Sequence, residues 1–83
     1  MSNTVVAHLV EPLAGGKEYL LLDGIYLSQG LAVISIELKL AQISDKFKYV
    51  DITEFNERGI KINSDYYEIK DGKLWLECKE GFE

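Results

Sequence analysis

The sequence predicts a mainly β fold: one small antiparallel sheet, or a compact, partly open barrel, ending in a C-terminal hairpin. Three observations carry this. Runs rich in β-branched and aromatic residues recur at close spacing. The runs are bounded by turn signals such as Glu11-Pro12, Asp23-Gly24, Gly59 and Asp71-Gly72. The last run alternates apolar and polar residues on both sides of Asp71-Gly72, the pattern of a two-residue hairpin.

The elements follow in order. Thr4 to Val10 reads as a strand, stopped at Pro12 because proline cannot donate to a ladder. Glu11 to Gly16 is a loop. Tyr19 to Leu22 and Ile25 to Leu27 flank Asp23-Gly24, which supplies the positive φ angles of a hairpin turn. Leu31 to Ile43 predicts a strand, since Ile34, Ile36, Leu38 and Leu40 alternate with Ser35, Glu37 and Lys39. Val33, Ile34 and Ile36 also lose χ1 freedom in a helix. The alternative is a helix over 28–43 with Ser28 as cap; Ser35, Lys39 and Gln42 then share its face and Glu37 lies in the apolar one. In that case the fold becomes α+β, with the helix covering one face of the sheet.

Phe47 to Ile52 is a further strand. Thr53 caps a short helical turn through Arg58, ended by Gly59. Ile60 to Ile62 is extended again. In the last hairpin a two-residue turn sets Lys70 opposite Lys73, Ile69 opposite Leu74, Glu68 opposite Trp75 and Tyr67 opposite Leu76. One face then carries Tyr67, Ile69, Leu74, Leu76 and Cys78; the other carries Tyr66, Glu68, Lys70, Lys73, Trp75 and Glu77. A slip of one residue would exchange the two sets, so the apolar face fixes the register.

Composition bounds the function. The 83 residues suit a single small globular domain over 1–83 with a modest core. Hydrophobic residues are 47% of the chain, too many for a disordered one. The longest uncharged stretch, Gly24 to Ile36, is 13 residues, short of the ~20 a membrane helix needs. Met1 to Val10 lack the basic start of a secretory signal, and Cys78 is the only cysteine, so a reduced, cytoplasmic setting is expected. The net charge of −5 opposes nonspecific nucleic-acid binding and favours basic protein surfaces. Residues 1–42 hold six charged side chains and residues 43–83 the other seventeen, so the first half is expected to supply a sheet centre or an interface.

Catalytic motifs are missing. Gly15-Gly16-Lys17 has Glu11 and Glu18 where a phosphate loop needs glycine and a hydroxyl. His8 is the only histidine and sits in an apolar strand, without a nucleophile elbow elsewhere. Cys78 falls on the apolar face of the last hairpin, where a thiol is an inert small hydrophobe. One His and one Cys do not make a zinc set, and no cofactor or metal is expected.

The expected function is therefore non-enzymatic: a small acidic protein-interaction module. Its docking face is Tyr66, Glu68, Trp75 and Glu77, because Trp and Tyr dominate binding hot spots. The acidic residues would steer it to a protein partner with a basic surface. One version is an inhibitor whose carboxylates stand where nucleic-acid phosphates would go, as in phage or mobile-element proteins. A first alternative is a small-barrel single-stranded nucleic-acid binder using the interleaved Lys46, Phe47, Lys48 and Tyr49. A second is self-assembly: Tyr19 to Leu27 is apolar on both faces, which suits either a homodimer interface or a strand pair buried inside the monomer.

Overall fold

The computed structural model describes residues 3–80, with side chains described through residue 77. Five strands form one antiparallel sheet: β1 (Thr4–Pro12), β2 (Glu18–Tyr26), β3 (Tyr49–Phe55), β4 (Lys61–Lys70) and β5 (Lys73–Glu80). The spatial order is β2-β1-β3-β4-β5. One helix, α1 (Gln29–Leu38), lies against one face. The sheet has two edges, β2 and β5, so it is not closed into a barrel.

The helix replaces the strand expected over Leu31 to Ile43, and topology is the reason. β2 and β3 flank β1 and are both antiparallel to it, so they run parallel to each other. Parallel strands cannot be joined by a tight turn and need a crossover of a dozen or more residues, usually a helix. Ser28 caps that helix, its Oγ accepting the Leu31 N–H at 3.2 Å. Ala32 and Ile36, one turn apart, are fully buried against the sheet. Glu37 lies at the flank, where its carboxylate accepts the Leu74 N–H of β5 at 2.8 Å.

Asp23-Gly24 is a bulge inside β2, not a turn. The register of β2 on β1 shifts between Ala7 and His8, and Asp23 is the extra residue. Its carboxylate, 4% exposed, accepts the Tyr26 hydroxyl at 2.6 Å and pairs with Lys39 at 2.6 Å. Burial and this acceptor push the Tyr26 hydroxyl pKa up to about 12. Gly24 does not adopt a left-handed conformation; a Cβ there would meet the Tyr26 ring at 3.4 Å. The real β1–β2 turn lies at Leu13 to Lys17, closed by a 2.8 Å backbone bond and by positive φ at Gly15 and Gly16. β1 itself runs through Pro12.

The helical turn expected after Thr53 is absent as well. β3 continues through Phe55, and Thr53 Oγ1 donates to Asp51 instead of capping. Asn56 makes the turn: its side-chain oxygen accepts the N–H groups of Arg58 and Ile60, and Gly59 takes φ 81°. The last hairpin matches its expected register from Lys70–Lys73 to Tyr67–Leu76, with Asp71 and Gly72 both at positive φ. A bulge then sets Cys78 opposite Tyr66, not Asp65. The side chain of Cys78 lies outside those described.

The core forms between α1 and the sheet. Val5, Ala7 and Leu9 of β1, Val50 and Ile52 of β3, and Leu74 of β5 pack with Ala32 and Ile36, and Phe47 is buried with them. Asp65 is buried at 4% exposure. Its Oδ2 accepts the Gln29 amide at 2.5 Å and the Tyr67 hydroxyl at 3.4 Å. Burial first, then this carboxylate, hold the Tyr67 hydroxyl above its ordinary pKa. Two substitutions test this core in urea titrations. Ile36→Ala should cost about 2–5 kcal/mol, the range for a large-to-small change at a closed site. Gln29→Ala should cost about 1–3 kcal/mol, because it leaves a buried carboxylate oxygen without its amide donor.

Candidate functional site

Among the described residues, the face of the sheet opposite α1 has no second layer. Alternation places Val6, His8 and Val10 of β1 there, with Leu20, Leu22 and Ile25 of β2, Tyr49 and Asp51 of β3, Tyr66 and Glu68 of β4, and Trp75 of β5. Of the expected docking residues Tyr66, Glu68 and Trp75 therefore share one face, Glu77 being the extra residue of the β4–β5 bulge, and they divide into two groups.

Tyr66 belongs to the interior of this face. Its ring stacks on Tyr49, a diagonal cross-strand neighbour, with centroids 5.2 Å apart and planes at 24°. Its hydroxyl donates to Glu18 of β2 at 2.8 Å. The bond links β4 to β2 across the open face, on which Val10 of β1 is fully buried. Burial first, then the Glu18 carboxylate, hold the Tyr66 hydroxyl well above its ordinary pKa. Tyr66 is thus half-buried, with its ring on Tyr49 and its hydroxyl engaged by Glu18.

Trp75 is the exposed member, at 50%. Its indole N–H donates to the Lys70 carbonyl at 2.9 Å, so the only polar atom of the side chain is satisfied and the ring faces water. Trp75 lies opposite Glu68. Together with Lys70, Asp71, Leu76 and Glu77 they line an open groove of about 430 Å³. Three carboxylates and one ammonium border the ring. Asp71 and Leu76 were not among the expected site residues. Asp71 reads in the sequence only as a turn former, and Leu76 only as part of the apolar face.

The lysine–aromatic run is placed differently. Phe47 is 7% exposed and packs in the core, with the Lys46 ammonium 5.4 Å from its ring centroid. Tyr49 is half-buried and holds Tyr66. Neither ring offers the free surface on which a base would stack. A second, smaller cavity of about 180 Å³ runs beside this segment, between Leu40, Ile43, Asp45, Phe47, Lys48 and Ile69. His8 is half-buried and sits between Leu22 and Asp51. Among the described residues no group of three or more His, Cys, Asp or Glu side chains is arranged to hold a metal ion, and no helix is long and apolar enough to cross a membrane.

Comparison with protein-family models, with curated proteins and with solved structures finds no match to this chain.

The tyrosine bridge makes a pH prediction. An unfolded tyrosine ionises near pH 10. A native-state pKa above that value means the stability contributed by the neutral hydroxyl is complete below pH 10 and is lost as pH rises past it. The urea midpoint of the protein should therefore fall above pH 10. Tyr66→Phe should make that fall shallower, by up to one proton in its slope. An unchanged slope in Tyr66→Phe would mean that the Glu18 bond does not hold the proton.

Proposed function

We propose that the protein is a non-enzymatic interaction module that docks a basic protein surface on the groove of the β4–β5 hairpin. One observation carries the reading: a tryptophan held half in water with its indole N–H already bonded, rimmed by Glu68, Asp71 and Glu77. A ring in that state gains by burial against a partner without having to satisfy a polar atom. The carboxylates supply the sign: they favour cationic side chains, raise the encounter rate and reject acidic competitors. Phosphate mimicry by these carboxylates, and hence inhibition of a nucleic-acid-binding protein, is one form this docking takes.

The test pairs wild type with Trp75→Ala as baits in native lysate, with and without nuclease. A partner specific to the groove is retained by wild type after nuclease treatment and lost by the variant. In titration with that partner the variant should bind at least ~30-fold more weakly, the loss for a hot spot of about 2 kcal/mol. The unfolding transition should stay near that of wild type, because Trp75 lies outside the core. Added salt should weaken wild-type binding. Equal affinity of wild type and variant would rule the groove out.

A further inference from the structure

The two edges of the sheet are built differently. β5 is guarded: the Glu37 carboxylate occupies the outward Leu74 N–H, and the strand carries charged Lys73 and Glu77. β2 carries the bulge at Asp23-Gly24 but has no such guard over Glu18 to Leu22. Tyr19, Leu20, Leu21, Leu22 and Ile25 are each about two-fifths to two-thirds exposed. The carboxylates bordering this run are drawn off the edge, Glu18 by the Tyr66 hydroxyl and Asp23 by Lys39 and Tyr26. Natural sheets protect edges with charge, proline, bulges or short strands, and a long apolar edge left open invites another strand.

We propose that β2 pairs edge to edge with β2 of a second copy, antiparallel about a twofold axis, joining the two sheets. The phase of the existing ladder shows which groups are free. The Leu13–Lys17 bond at the turn and the missing N–H of Pro12 set the β1–β2 bonds at Glu11–Tyr19 and Leu9–Leu21. Glu18, Leu20 and Leu22 therefore turn their N–H and C=O groups outward, ready to form a new ladder.

The occupant is a copy of the chain because the edge is apolar on both faces of the sheet. Tyr19 and Leu21 lie on the helix side, and Leu20, Leu22 and Ile25 on the open side. A matching strand must be apolar on both of its faces, and Tyr19 to Leu22 is such a strand. Area agrees. At up to about 200 Å² for a large apolar side chain, these exposed fractions offer at most on the order of 500 Å² per copy. A symmetric pair then buries on the order of 1,000 Å², where specific interfaces begin. Long-range repulsion between two acidic chains is small here, since the acidic groove lies on the opposite edge.

Sedimentation equilibrium of the full chain from about 1 to about 200 μM tests this, since mass action makes the dimer concentration-dependent. Wild type should reach twice the 9.4 kDa chain mass. Leu20→Pro, which removes an outward N–H that the monomer does not use, should remain monomeric with an unchanged circular dichroism spectrum. Leu22→Lys should do the same, and decides the matter if the proline variant fails to fold. In wild type the Leu20 and Leu22 amides should exchange slowly at high concentration and quickly on dilution. A wild-type monomer throughout the range overturns the proposal. So does a dimer that persists in the folded variants. So does a dimer whose Leu20 and Leu22 amides exchange freely, which would move the contact to the outward helix stripe of Leu31, Ile34 and Leu38.

Discussion

The rest of the protein depends on β1 having a neighbour on each edge and cover on each face. Its partners β2 and β3 are thereby parallel, which forces a crossover and makes α1 necessary. The crossover lays Ala32 and Ile36 over Val5, Ala7 and Leu9. On the other face Val10 is fully buried and the Tyr66–Glu18 bond links β4 to β2. A chain of 83 residues buries a modest fraction of its surface, and its second sheet face stays largely open.

The acidic composition has two separable parts. Glu18, Asp23, Glu37 and Asp65 each accept an internal donor that would otherwise be poorly paired: a tyrosine hydroxyl, a hydroxyl and an ammonium together, an edge amide, and a glutamine amide. These carboxylates hold the fold. Those beside Trp75 sit on an exposed groove and give the surface its sign. Counting charges in the sequence treats the two kinds alike. The structure assigns the first kind to architecture and places the second on an exposed groove.

Local chemistry was legible where neighbours in sequence are neighbours in space. The last hairpin shows this: Asp71-Gly72 takes the left-handed turn, and the alternation around it places Trp75 in water and Leu74 in the core. The same dipeptide at Asp23-Gly24 misleads, because its decisive partner, Lys39, lies in another element. The strand pattern of Ile34, Ile36, Leu38 and Leu40 misleads for a related reason. Period 2 was visible, whereas the parallel relation of β2 and β3 that demands a helix was not. Tyr66 shares the face of Trp75 as expected, but its stacking on Tyr49 was not legible, since which strand lies on its other side is a property of the whole sheet. Phe47 read as a surface aromatic because lysines flank it, yet it packs inward.

The strand order also shapes how the chain reaches its native state. Most neighbouring strands are joined by hairpins, but the β1–β3 seam pairs residues 39 to 51 positions apart, from Val10–Tyr49 to Thr4–Phe55. Closing so long a loop costs entropy before any contact rewards it, which makes the seam the natural slow step. During synthesis the β1–β2 hairpin therefore emerges well before the strand that completes it. In that interval β1, the centre of the finished sheet, is itself an open edge bordered by apolar side chains. The nascent chain is most prone to aggregate there, and an assembling cell has reason to shield it until Tyr49 to Phe55 arrive.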